Sequence, residues 1–216
     1  MALNSNVVRE QDERIASLVR TPTFVVVAGA LPGLFVATSA VNGLYIGLVT
    51  AVSILAAALL APLVRRFTGA FSFLPVTLLA CATVTVLVGF GVRVADPLVF
   101  EQLGIYLPLA SLNAMAVAFV ARDGFTAEPC GRSSIGTAAF AALCALATLA
   151  FVGFINGMFA TGQVFGLTMN ELAASPIAIF GKPAGSLLVL ALVAAFVQSV
   201  CDVRAASAET SEGGER

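Results

Sequence analysis

From Thr21 to Val64 the chain carries no charged side chain, a run of 44 residues. A bilayer core about 30 Å thick is crossed by roughly 20 apolar residues in a helix, so this run holds two crossings. Further uncharged stretches cover 67–92, 102–121, 133–170 and 183–201. The pattern predicts six membrane helices, near 24–41, 43–64, 71–92, 105–121, 135–158 and 185–201. Asn42 and Gly43 form a turn signal that divides the first run, and Arg65 and Arg66 close the second helix. Segment 93–103 mixes Val94, Leu98, Val99 and Leu103 with charged residues, a pattern suited to a short helix on the outer membrane surface. Segment 160–183 reads either as an ordinary outer loop or as a stretch that dips back into the membrane.

Composition agrees. The chain is 59% hydrophobic and 11% charged, against about 25% charged in soluble domains. The fold class expected is therefore all-α, a polytopic membrane protein. Residues 1–20 are polar, carry both signs and lack an apolar core. They read as a cytoplasmic N-terminal extension and not as a cleavable signal. The membrane domain covers 21–203, and the small, acidic tail 204–216 is expected to be disordered.

Eleven basic residues are scattered without forming a patch, which sets nucleic-acid binding aside. Their distribution fixes the orientation instead. Arg9, Arg14, Arg20, Arg65, Arg66, Arg122, Arg132, Arg204 and Arg216 fall on one side, and only Arg93 and Lys182 on the other. Nine against two places both termini in the cytoplasm of a bacterial-type inner membrane. The chain has no histidine, so the commonest metal ligand and proton shuttle is missing. No nucleophile elbow, phosphate loop or paired carboxylate is present, and no catalytic or metal-ligating set is expected.

An internal repeat is visible. LPGLFVATSAVN at 31–42 and LPLASLN at 107–113 each carry Leu-Pro, then small and hydroxyl residues, then Asn. Three helices separate the copies, so they enter the membrane from opposite sides, as in an inverted 3+3 repeat. Repeat one spans about 21–92 and repeat two about 104–203. Pro32 and Pro108 sit mid-span, where proline removes a backbone hydrogen bond and breaks a helix into half-helices. Transport proteins build midplane sites from two such breaks. The polar set Thr38, Ser39, Asn42, Ser111 and Asn113 either lines a pathway or re-satisfies backbone groups freed by the prolines.

These residues resemble a known family. LPGLFVATSAVNGLYIGLVT (31–50) is similar to the first helical hairpin of the Rnf/Nqr integral membrane subunits. The similar branch holds the D-type component of Na⁺-translocating NADH:quinone reductase and the E-type component of the Rnf complex. GIYLPLASLNAMAVA (104–118) resembles the family's fourth helix, and TGQVFG (161–166) and KPAGSLL (182–188) its outer loop and sixth-helix start. The resemblance covers roughly residues 21 to 203. It implies an electron-transport complex that moves ions, with other complex subunits and a homologous membrane subunit of opposite topology as partners. In the family the pair holds a [2Fe–2S] cluster near the midplane. Each of the two supplies two cysteines, one in Leu-Cys-Pro and one in Asn-Cys.

At those positions this chain departs. Ala30-Leu31-Pro32 has leucine for the first cysteine, and Asn113-Ala114 has alanine for the second. Neither side chain can ligate iron. The Gly-Arg-Ala-Glu of the fourth helix is AFVA at 118–121, and the Arg-Glu of the fifth is Asn156-Gly157. The four cysteines present, Cys81, Cys130, Cys144 and Cys201, form no CxxC pair and lie outside the broken helices. They read as small apolar residues and free thiols, with a relocated cluster on Cys81 and Cys144 as the alternative. The expectation is a membrane subunit of an Rnf/Nqr-type ion-translocating complex with no cofactor on this chain. The alternative is a redox-inactive transporter or scaffold on the same fold.

Overall fold

The structure is a computed structural model and describes residues 21–69, 72–125, 132–164, 167–168 and 177–213. The N-terminal extension, Cys130 and residues 169–176 lie outside them. The described chain is a helical membrane bundle. In order come α1 (Pro22–Ala30), α2 (Ala40–Arg65), α3 (Phe73–Ala95), α4 (Pro97–Leu103), α5 (Tyr106–Leu109), a 3₁₀ turn (Ala110–Leu112), α6 (Ala114–Phe125), α7 (Arg132–Thr161) and α8 (Pro183–Gly213). One antiparallel pair of two-residue strands follows α7, with Gln163 opposite Thr168 and Val164 opposite Leu167.

Among the described residues four helices are long and apolar enough to cross a membrane: Ala40–Arg65, Phe73–Ala95, Ile135–Thr161 and Pro183–Arg204. A fifth crossing is supplied if α4 and the helix from Tyr106 to Ala121, bent by 66°, are one span. The expected helix at 24–41 is not continuous. It stops after nine residues at Ala30, because Pro32 has no N–H to extend the ladder. Tight turns carry the chain on, with Gly33 and Leu34 N–H both donating to the Ala30 carbonyl.

The hairpin turn is also corrected. Asn42 and Gly43 lie inside α2, and the chain reverses at Ser39, which is extended (φ −135°, ψ 160°). Ser39 Oγ accepts from Asn42 N–H at 3.2 Å, a serine N-cap for α2. Gly43 belongs in the helix for a packing reason. A Cβ there would stand 2.6 Å from the Leu149 carbonyl and 2.8 Å from Gly153 Cα. Two glycines thus let α2 and α7 meet backbone to backbone.

Helix α2 is the centre of the bundle: 61% of its most apolar stretch is buried, against 22% for α8. Helix α3 buries one narrow stripe, Phe73, Thr77, Cys81, Thr85, Gly89 and Val92, spaced three and four apart. Thr77 and Thr85 return their hydroxyls to the carbonyls of Phe73 and Cys81, each at 2.8 Å, so both hydroxyls are satisfied within the helix. The short helix read in segment 93–103 is α4. Asp96 caps it by accepting from Leu98 and Val99 N–H, and Gly104 ends it at φ 43°. That left-handed turn suits glycine and redirects the chain into α5. At the far end α8 runs to Gly213, through much of the segment read as a disordered tail. Extending a formed helix needs only propagation, which Ala- and Glu-rich sequence favours.

Candidate functional site

The segment between Tyr106 and Phe125 breaks at Asn113. Pro108 does not cause it: as third residue of α5 it lies in a first turn, where a missing N–H costs nothing. Asn113 itself leaves the helical region (φ −56°, ψ 135°). Its Oδ1 accepts from Met115 N–H at 2.7 Å and caps α6. Its Nδ2 donates to the Gly29 carbonyl at 2.5 Å. The carbonyl end of α1 and the amide end of α6 are therefore joined through one fully buried side chain. The two ends also carry complementary partial charge. Ser111, buried beside it, donates to the Pro108 carbonyl at 2.7 Å and so serves its own backbone.

Leu31 and Ala114 flank this bond, two residues past Gly29 and one past Asn113. Both are exposed, Leu31 at 43%, and Leu112 next to them is exposed too. Phe35 in the turn stacks on Tyr106 of α5 at 6.0 Å, a second link between the two broken segments. Pro32 is half-buried and Pro108 exposed.

A separate polar cluster surrounds the Ser39 hairpin. Asn42, buried, donates from Nδ2 to Gln102 Oε1 of α4 at 2.7 Å. Thr38 is half-buried, and its Oγ1 lies 3.5 Å from the Val36 carbonyl. Asn156 of α7 donates from Nδ2 to the Ala37 carbonyl at 2.8 Å and to Ser186 Oγ of α8 at 2.7 Å. The structure thus divides the expected polar set. Ser111 and Asn113 belong to one break, and Thr38, Ser39 and Asn42 to the other. Gln102, Asn156 and Ser186 were not in that set. Asn156 had one signal, as the sole asparagine of a 30-residue apolar helix.

Cys81 is buried in α3, Cys144 half-buried in α7 and Cys201 half-buried in α8, all as free thiols. Among the described residues no three His, Cys, Asp or Glu side chains gather as a metal site.

The model of the family described as "Rnf-Nqr subunit, membrane protein" matches residues 15–197. The chain belongs to this family. The E-type component of the Na⁺-translocating ferredoxin:NAD⁺ oxidoreductase complex of Acetobacterium woodii is 28% identical over 176 residues, 80% of this chain and 87% of that one. Its counterpart in the proton-translocating ferredoxin:NAD⁺ oxidoreductase complex of Clostridium ljungdahlii is 25% identical over 206 residues, 92% and 94% of the two chains. The counterpart in the ion-translocating oxidoreductase complex of Methanosarcina acetivorans is 24% identical over 184 residues, 82% and 84%. This Rnf-Nqr chain thus matches its relatives over most of their length as well as its own.

Proposed function

We propose that this chain is the E-type membrane component of an ion-translocating ferredoxin:NAD⁺ oxidoreductase complex and holds no iron–sulfur cluster itself. The observation that carries the reading is the family match over 15–197, joined to relatives that are all E-type components of ion-translocating oxidoreductase complexes. The charge bias supports cytoplasmic termini in an inner membrane. The breaks at Ser39 and Asn113, each followed by a capped helix, support an inverted repeat.

A homologous subunit of opposite topology is the partner that this geometry favours. Irregular backbone at membrane depth must be covered by protein or face water, because lipid offers it no hydrogen bonds. Leu31, Leu112 and Ala114 leave one side of the Gly29–Asn113 junction open. A second membrane subunit seated there would cover it.

The residues at the cluster-ligand positions do not fit a cluster. Leu31 and Ala114 offer hydrocarbon where iron needs thiolate or imidazole. Cys81 and Cys144 lie on α3 and α7, helices that do not carry the cluster-ligand positions. Electron transfer through the complex must then use groups on other subunits. The test is affinity purification of the tagged chain, co-expressed with the genes adjacent to its own. Co-elution of flavin-bearing and iron–sulfur subunits is expected. Elution alone, from membranes where those subunits are present, would favour the redox-inactive transporter or scaffold.

A further inference from the structure

Asn156 is fully buried, and its two ends are treated unequally. The nitrogen is bracketed by two oxygens, the Ala37 carbonyl at 2.8 Å and Ser186 Oγ at 2.7 Å. Its own oxygen, Oδ1, has no partner among the described residues. A buried acceptor left unpaired costs about 1–3 kcal/mol. The two ends of a carboxamide are nearly the same size. Turning it over would bring Oδ1 beside the Ala37 carbonyl and the Ser186 hydroxyl. Three neutral oxygens from three separate elements would then converge. Such a set repels itself when empty and attracts a cation placed at its centre. Ala37 contributes from the tight turns after α1, where carbonyls are not all committed to a helix ladder. Unwound carbonyls of this kind coordinate monovalent cations in membrane proteins.

The chemistry of the chain selects the ion. None of the three groups titrates. The chain has no histidine, and among the described residues the carboxylates are Asp96 and Glu101, around α4, Asp123, near the end of α6, and Asp202 and the acidic residues beyond it in the last turns of α8. A proton inside the bundle would have no group to ride on. A divalent cation favours carboxylate ligands, which this set lacks. We propose that the Ala37 carbonyl, the Asn156 carboxamide and the Ser186 hydroxyl form a site for a dehydrated monovalent metal cation, with the Asn156 nitrogen standing in for the ion when the site is empty. The site ties the turn after α1 to α7 and α8, so filling it couples the first broken segment to the second repeat. The proposal deepens the ion-translocating reading above, but its test does not depend on complex formation.

The experiment uses the full chain purified in detergent, with NaCl exchanged for choline chloride at constant ionic strength. Thermal unfolding and binding of radioactive Na⁺ are both read. Sodium is expected to raise the Tm saturably by several degrees where choline does not. Ser186→Ala should weaken Na⁺ binding about tenfold, and Asn156→Leu should abolish it. Asn156→Asp keeps the side chain's shape and adds a charge. Above the carboxylate titration range it should bind Na⁺ about tenfold more tightly, a gain that a merely structural asparagine would not give. Equal Tm in Na⁺ and choline, Na⁺ bound by Asn156→Leu as by wild type, or no tightening in Asn156→Asp would each overturn the proposal. Sodium dependence in a chain that elutes without partners would sustain the site while removing the complex reading.

Discussion

The breaks at Ser39 and Asn113 obey one local rule and end in different places. In each, one residue turns extended and its side-chain oxygen caps the helix that follows. Ser39 caps and does little more in its own right; the chain reverses there, and half-buried Thr38 and buried Asn42 lie beside it. Asn113 caps and also reaches 84 residues back along the chain to the Gly29 carbonyl, inside a fully buried junction. A hydroxyl's donor sits on the same atom that caps, whereas a carboxamide carries its donors on a separate nitrogen that can reach away from the capped helix. The difference shows how one capping device can serve a hairpin at one place and a long-range clamp at another.

The hairpin's packing is where this contrast breaks most forcefully. Gly43→Val would drive a side chain into the Leu149 carbonyl and Gly153, with no flexible neighbour to give way. A loss of about 3 kcal/mol or more is expected, read as loss of the monodisperse peak in detergent. A Gly43→Val protein with the wild-type Tm would refute the α2–α7 contact. Next comes the clamp. Asn113→Leu leaves the Gly29 carbonyl and Met115 N–H unpaired in a dry interior, worth about 3 kcal/mol in denaturant unfolding.

Smaller effects separate the two sites. Asn42→Leu removes a bond to Gln102, which is exposed and can turn to water, so about 1 kcal/mol is expected. If Asn42→Leu cost as much as Asn113→Leu, the contrast between the breaks would be lost. Ser39→Ala should cost about 1 kcal/mol, and Ser39→Asp, which restores the cap, should recover most of it. Thermal unfolding of the pair in one detergent decides the matter.

Much of the bundle was legible in the sequence. Helices α2, α3, α7 and α8 follow from long uncharged runs, since in lipid an apolar run satisfies its own backbone as a helix. The first helix breaks where Pro32 marks it, whereas the second break falls at Asn113 and not at Pro108. The repeat aligned Asn42 with Asn113, yet the residue that caps α2 is Ser39, three residues earlier. The capping residue, and not the proline, sets where the helix restarts. Pro32 ends a helix and Pro108 begins one, a difference that proline's fixed φ alone does not encode. Asn156 escaped because its partners lie 119 and 30 residues away. Only the packed bundle brings Ala37 and Ser186 to it.

The central claim is a family scaffold kept without its redox ligands. Its most direct test is the iron content and EPR spectrum of the complex purified through this chain, compared with a variant in which Cys81, Cys130, Cys144 and Cys201 are all alanine. The same iron and the same spectrum are expected in both, as the proposal that this chain holds no cluster requires. A stoichiometric [2Fe–2S] signal that disappears in the cysteine-free variant would contradict the claim.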